Sequence, residues 1–347
     1  MKPTKTLALM LAAALVLCLF SACGNKAVSK ATVKIRGVRY RRNLTELDLG
    51  GKQLTSLDIE ELKHMTKLAT LSLFGNKIKD ISVLGGVTAL NYLELTCNQI
   101  SDVSALSELK NLTTLEWSYN DINDSSALSG LTSLPNLLYL YVRGNSISDI
   151  GALSGLAKLE GLWMGETPVS DISALSGLTN LRYLEANSTL ISDISALRGL
   201  TGMEHLALGD NQISDISALS SMTNMEILWL CDNKITDISP LNELANLTQL
   251  RVWVNNIADL SPLGGLTKVE LLDLSFNDIS DLSAVAGMTG LTSIIISYNP
   301  ISDISPLGGL PKLMIILAES TDITDFSSVD HVMSVRTEFP FHDLALD

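Results

Sequence analysis

The sequence predicts an α/β solenoid, with a parallel β-sheet lining its concave side and short 3-10 or helical turns on its convex side. Three observations predict it. One apolar pattern returns thirteen times between Leu44 and Leu313, mostly at a spacing of 22 residues. Each copy opens on alternating apolar residues, the period-two signature of a short strand. Most copies close on Asp-Ile-Ser-Ala/Pro-Leu-x-x-Leu, a spacing that suits a single helical turn.

The copies open at Leu44, Leu68, Leu90, Leu112, Leu137, Leu159, Leu181, Met203, Met225, Leu247, Val269, Leu291 and Leu313. A clear one carries Leu68, Leu71, Leu73, Asn76, Ile78, Asp80, Ile81, Leu84 and Val87. Strands need their polar backbone paired, and the apolar positions of one copy cannot offset the entropy of ordering it. The copies must therefore stack, sharing hydrogen bonds and burying both sides of each coil. In the closing segment, Ser239-Pro240, Ser261-Pro262 and Ser305-Pro306 fit an N-cap followed by the first helical position, and so short a turn should be 3-10. The pattern resembles the leucine-rich repeat family, specifically its internalin-type 22-residue class, over residues 44 to about 330. The resemblance implies a horseshoe with a parallel concave sheet. It also implies recognition of host surface proteins through that sheet.

Two polar columns accompany the core. Asn76, Asn98, Asn120, Asn145, Asn211, Asn233, Asn255, Asn277 and Asn299 follow the strands, where an amide can bond the backbone of adjacent coils. Thr167, Thr189 and Thr321 replace the amide in three copies and Lys52 in the first, so those ladders should be weaker. The aspartates from Asp80 to Asp325 could suggest stacked calcium sites. One carboxylate per coil is too few for a cation that wants six or more oxygens, so turn capping is the better reading.

One copy is irregular. Trp117 stands where the others carry their second strand Leu, and Ser125 where they carry Ile. A large residue facing a small one would conserve core volume. Three extra residues around Thr132, Ser133 and Leu134 predict a kink in the stack.

The ends read differently. Lys2 and Lys5 precede the apolar run Leu7 to Phe20, which is shorter than a membrane span and reads as a secretory signal over residues 1–22. Leu19-Phe20-Ser21-Ala22-Cys23-Gly24 resembles a bacterial lipobox, which implies that Cys23 becomes the lipid-modified first residue of an exported, membrane-anchored protein. An ordinary signal cut near Ala22, releasing a soluble protein, is the alternative. Residues 23–43 read as a tether and N-terminal cap, with Val33 to Tyr40 forming a capping strand. Their seven basic residues and no acid would favour an anionic membrane surface, against a merely solvated linker. The repeat domain spans 44–329, and residues 330–347 lose the pattern and should cap the far end. Cys97 and Cys231 lie six repeats apart, or roughly 29 Å at the strand spacing, too far for a disulfide.

Composition narrows the function. A formal charge of -14 argues against nucleic acid, which needs a basic face. The histidines His64, His205, His331 and His342 are scattered, and no phosphate loop, paired-Cys motif or His-Glu-x-x-His occurs. The expectation is a binding protein with no catalytic residue, cofactor or metal, acting as a monomer.

Side chains alternate along a strand, so positions two and four after each opening residue, and in some copies six or seven, should face the concave solvent side. Tyr92, Tyr119, Tyr139, Tyr141, Tyr183, Tyr298, Trp163, Trp229 and Trp253 fall there, nine of the eleven Trp and Tyr residues. β-propensity would place aromatics on strands but does not explain why they face outward; exposed Trp and Tyr are typical of binding hot spots. Glu46, Asp48, Glu94, Glu116, Glu166, Glu185, Asp210, Asp232, Asp273 and Glu319 share the face with only Arg143 and Arg251. An acidic, aromatic sheet should favour a cationic protein segment or peptide, by Coulomb attraction and cation–π contact. The expected site comprises Tyr92, Glu94, Glu116, Tyr119, Tyr139, Tyr141, Arg143, Trp163, Glu166, Tyr183, Glu185, Trp229, Asp232, Arg251 and Trp253. Glycan binding and a structural spacer without a ligand are the competing readings. The partner could be a host receptor or a component of the cell envelope, because the roughly twenty residues before the first strand reach at most about 70 Å.

Overall fold

The computed structural model describes residues 31–123 and 126–337. Residues 1–30, which hold the expected signal segment and Cys23, residues 124–125, which include Ser125, and residues 338–347 lie outside them. Each repeat lays one three-residue strand beside the last. The first strands of the described residues form a hairpin, β1 (Thr32–Ile35) and β2 (Val38–Arg41). It continues through β3 (Glu46–Asp48), β4 (Thr70–Ser72), β5 (Tyr92–Glu94), β6 (Thr114–Glu116), β7 (Tyr139–Tyr141) and β8 (Gly161–Trp163). Next come β9 (Tyr183–Glu185), β10 (His205–Ala207), β11 (Ile227–Trp229) and β12 (Gln249–Arg251). The series ends with β13 (Leu271–Asp273), β14 (Ser293–Ile295), β15 (Ile315–Leu317) and β16 (Ser334–Arg336). From β3 to β16 these form one 14-stranded parallel sheet in sequence order, with 3-10 turns behind nearly every strand.

The register is constant, each residue pairing with its equivalent one repeat on: Leu71 with Leu93, Leu206 with Leu228, Leu272 with Ile294. The seven apolar positions of the second copy, Leu68, Leu71, Leu73, Ile78, Ile81, Leu84 and Val87, are all 0–1 % exposed. The same seven columns form a continuous core along the stack. Trp117 joins that core at the position of a strand Leu and is fully buried.

The asparagine column bonds as its chemistry predicts. Nδ2 of Asn233 donates to the carbonyls of Leu208 (2.9 Å) and Leu230 (3.1 Å), and its Oδ1 accepts from Ile213 N–H (2.9 Å). One amide thus ties two coils. Where Thr167 stands instead, its hydroxyl donates only within its own repeat, to Met164 O at 2.6 Å. Thr189 donates to Ala186 O and to the amide oxygen of Asn211.

The position just before the Asn column takes left-handed backbone in every repeat. Glycine occupies it at Gly51, Gly75 and Gly144, but Cys97, Tyr119, Glu166, Ser188, Asp210, Asp232, Val254, Phe276, Tyr298 and Ser320 also adopt φ between 51° and 58°. L-residues pay roughly 1–2 kcal/mol for this conformation.

Three expectations need correction. Ser239, Ser261 and Ser305 are not N-caps; each is the first residue of its 3-10 helix, after an apolar residue. The capping oxygen comes from the aspartate column. Asp237 Oδ1 accepts from Ser239 N–H at 2.8 Å, and the same bond recurs at Asp80, Asp102, Asp171, Asp193, Asp215, Asp259, Asp281, Asp303 and Asp325. The three extra residues of the irregular copy are absorbed on the convex side by α1 (Ser126–Ser129) and a following 3-10 turn. There β6 and β7 pair in the usual register, so the insertion leaves the strand ladder continuous. Residues 33–40 form a hairpin rather than one strand, because Arg36 and Gly37 both take positive φ and reverse the chain. Finally, part of the expected far cap is a further strand, β16, which extends the parallel sheet.

Candidate ligand-binding face

The alternation of a parallel strand places the middle residue in the core and the two outer residues on the exposed face. Tyr92, Glu94, Glu116, Tyr139, Tyr141, Trp163, Tyr183, Glu185, Trp229 and Arg251 occupy such outer positions, and each is half-buried among its neighbours. None of the predicted aromatics is in the core. Tyr119, Arg143, Glu166, Asp232 and Trp253 stand beyond the strand ends, in the turn that leaves the sheet.

The constant register brings the central residues together. Tyr141 on β7 and Trp163 on β8 stack with ring centroids 4.1 Å apart and planes 8° apart. Tyr183 on β9 continues the row, 6.3 Å from Trp163 at 12°. Tyr139 lies 6.5 Å from Trp163, and His205 meets Tyr183 edge-on at 5.0 Å. In the strand register Glu185 and Ala207 stand between Trp163 and Trp229, so Trp229 stands apart from the row. The guanidinium of Arg251 already covers Trp229, 4.6 Å from its centroid. That face is therefore less open to a foreign cation than the sequence suggested.

The charges are partly satisfied within the chain. Arg143 pairs with Glu166 at 2.6 Å, and Tyr119 donates to the same carboxylate at 3.4 Å. Glu94 accepts from Ser72 Oγ at 2.6 Å and Glu116 from Tyr92 Oη at 2.9 Å. Glu185 accepts from Asn187 Nδ2 at 2.9 Å, but its Oε2 is buried without a partner. Burial pushes the carboxyls of Glu116, Glu185 and Asp273 above the usual range. Burial likewise raises the phenol of Tyr141, and of Tyr139 to about 12.

Sequence reasoning missed a second set of carboxylates. Tyr139 Oη donates to Glu160 at 2.8 Å and Tyr183 Oη to Glu204 at 3.1 Å, while His205 lies 3.9 Å from Glu226. These acids sit one position after the opening residue, where alternation alone predicts no contact with the ring row. The signal was a diagonal: an aromatic or His followed by Glu 21 residues later. Phe276 was also missed; it stacks on Tyr298 at 4.1 Å and 7°. Towards the far end the exposed face turns apolar, with Leu271, Ile295, Ile315 and Leu317.

Chemically this face offers stacked rings, hydroxyls and carboxylates. Among the described residues no cluster of His, Cys, Asp and Glu could hold a metal ion. Cys97 and Cys231 are both free thiols.

A parallel solenoid with a sculpted sheet face defines the class of repeat-built binding scaffolds. The chain belongs to the leucine-rich repeat family. The family described as "Leucine Rich repeats (2 copies)" matches residues 42–86, 66–108, 135–177, 179–221 and 201–243, and a single leucine-rich repeat matches 265–286. Among solved structures, an internalin (inlF) from Listeria monocytogenes is 32 % identical, with a TM-score of 0.82 over 87 % of this chain and 90 % of that one. A leucine-rich repeat protein of Leptospira interrogans is 22 % identical, with a TM-score of 0.79 over 86 % of this chain and 79 % of that one. The Arabidopsis receptor kinase HAESA, solved in complex with a peptide hormone and a co-receptor, is 20 % identical, with a TM-score of 0.60 over 80 % of this chain and 58 % of that one. The search of curated proteins gives no significant match. Proteins of this family are typically binding scaffolds rather than enzymes.

Proposed function

We propose that this chain is an exported, lipid-anchored protein of a bacterial envelope that binds a protein or peptide ligand on its concave sheet. The ligand presents a cationic segment to strands β5 to β9. The reading is supported chiefly by the contiguous row Tyr141, Trp163 and Tyr183, bordered by Glu116 and Glu185 on neighbouring strands. Aromatic anchors ringed by polar groups are where binding energy concentrates. The anchor rests on the pattern around Cys23, which lies outside the described residues. That HAESA was solved with a peptide hormone is consistent with a peptide on such a scaffold.

Glycan binding is the second reading, since sugars stack on aromatic rings. It is less favoured because Tyr141 and Trp163 cover one another's faces, leaving edges and hydroxyls to a ligand. The test begins with a ligand recovered by pull-down, titrated against wild type, Tyr141→Ala and Trp163→Ala at several salt concentrations. Each variant should lose roughly 30-fold in affinity, and salt should weaken binding. Wild-type affinity in both variants rejects this site, whereas salt-independent binding favours a glycan. Loss of membrane retention in a Cys23→Ala strain tests the anchor separately.

A further inference from the structure

We propose that the outward face of the β1–β2 hairpin is a docking surface for anionic phospholipid, distinct from the concave face. The pairing register is Thr32 with Arg41, Val33 with Tyr40, Lys34 with Arg39 and Ile35 with Val38. Cross-strand partners share a face, so the ribbon is two-sided. Val33 and Ile35 are 2 % exposed and, with half-buried Tyr40, seal the near end of the core. The opposite side presents Lys34, Arg39 and Arg41, all exposed.

Three features point to a sheet of negative charge as the partner. The hairpin and the two residues after it hold no acid, so no carboxylate of the ribbon itself balances these cations. Lys34 and Arg39 are direct cross-strand partners, a like-charge pair that costs stability unless an anion lies over it. The three cations share one side of the ribbon at backbone positions within about 10 Å of one another, about one Debye length, a spread that matches several headgroups better than a single phosphate. Arg36 has a different task. Its guanidinium donates to the carbonyls of Lys52 and Gln53, pinning the hairpin's turn to the first repeat. The basic face is thus presented on a fixed support.

Position agrees with the charge. Thr32 follows Cys23 by nine residues, so an anchor at Cys23 would hold the hairpin within about 30 Å of the bilayer. The docking itself requires no acyl chain. It would set the solenoid's near end against the membrane although the molecule as a whole carries a charge of -14.

The experiment uses the full chain with Cys23→Ser, which removes any acylation, and vesicles of phosphatidylcholine with or without phosphatidylglycerol. The readout is the ratio of affinities for anionic over neutral vesicles. Each basic residue near the surface contributes roughly fivefold. The triple variant Lys34→Ser, Arg39→Ser, Arg41→Ser should therefore lower the ratio about a hundredfold, while Arg198→Ser with Lys234→Ser leaves it unchanged. The triple variant should also melt no lower than its parent, since a repulsive pair is removed; a normal Tm shows that lost binding is not unfolding. An unchanged ratio in the triple variant overturns the proposal. So does displacement by inorganic phosphate beyond the effect of chloride at equal ionic strength, which would indicate a single-anion site.

Discussion

Trp163 lies over Gly161, its neighbour two residues earlier on the same strand face. A Cβ built on Gly161 would stand 2.5 Å from Cζ3 of Trp163 and 2.9 Å from Cδ1 of Tyr139. The missing side chain is what lets the indole lean across its strand and meet both tyrosines of β7. Gly161→Val should expel the indole from this position. The expected outcome is a changed near-ultraviolet circular dichroism spectrum and weaker ligand binding, with stability altered by less than about 1 kcal/mol, because the displaced ring can move into solvent. An unchanged aromatic spectrum would show that the stack does not depend on this glycine.

The asparagine ladder should dominate the polar contribution to stability. Asn233→Ala strands the N–H of Ile213 and the side-chain-bonded carbonyls of Leu208 and Leu230. At 1–3 kcal/mol for a buried unsatisfied group, the loss should be about 3 kcal/mol in denaturant unfolding. Thr167→Asn, which restores an amide to a coil now held by one hydroxyl, should stabilise by about 1 kcal/mol.

Val254 is the β-branched residue among the left-handed positions, at φ 52°. Asn tolerates this region better, so Val254→Asn should raise stability by about 1 kcal/mol, or Tm by about 2 °C for a chain of this size. Val254→Ile, equally branched, should not. A scanning-calorimetry comparison of the three proteins decides.

Two carboxylate populations give opposite pH responses. Asp102, Asp171, Asp193, Asp215, Asp259, Asp303 and Asp325 are held below the usual range, chiefly by the N–H of the serine two residues on. Their contribution is present above the unfolded value and is lost as pH falls through the folded values. Glu116, Glu185 and Asp273 are raised by burial, so the fold binds extra protons between their folded and unfolded values. Their charged forms penalise the fold at neutral pH, and acidification relieves them. Tm should rise gently as pH falls from neutral towards the ordinary carboxylate range and then drop below it. The combined Glu116→Gln, Glu185→Gln, Asp273→Asn variant should lose the rise and keep the drop. The same protonation should weaken a cationic ligand over the interval in which Tm rises.

The repeat architecture was legible because burial imposes the same residue type at the same place thirteen times; Trp117 was readable as core from its place in that frame. The outward rings were readable for the same reason, through alternation. Side-chain reach across coils was not. The bonds from Tyr139 to Glu160 and from Tyr183 to Glu204 run diagonally, and no period-two argument contains them. The left-handed positions were hidden because only Gly51, Gly75 and Gly144 advertise them, while tertiary packing imposes the same backbone on residues such as Phe276. β16 escaped because Val332 follows Leu313 by 19 residues rather than 22. The serine caps were misassigned because Ser-Pro has a familiar helix-start meaning, whereas here the aspartate two residues earlier supplies the oxygen.

The uniform pairing of β8 with β9 and β9 with β10 makes the chain a ruler with interchangeable divisions. Excising residues 181–202 would splice Asn180 to Met203 and set Trp163 directly beside Ala207, with every seam chemically like the one it replaces. The molecule can thus be shortened or lengthened by whole coils, each edit shifting what lies opposite a bound partner while leaving the rest of the spiral's construction intact.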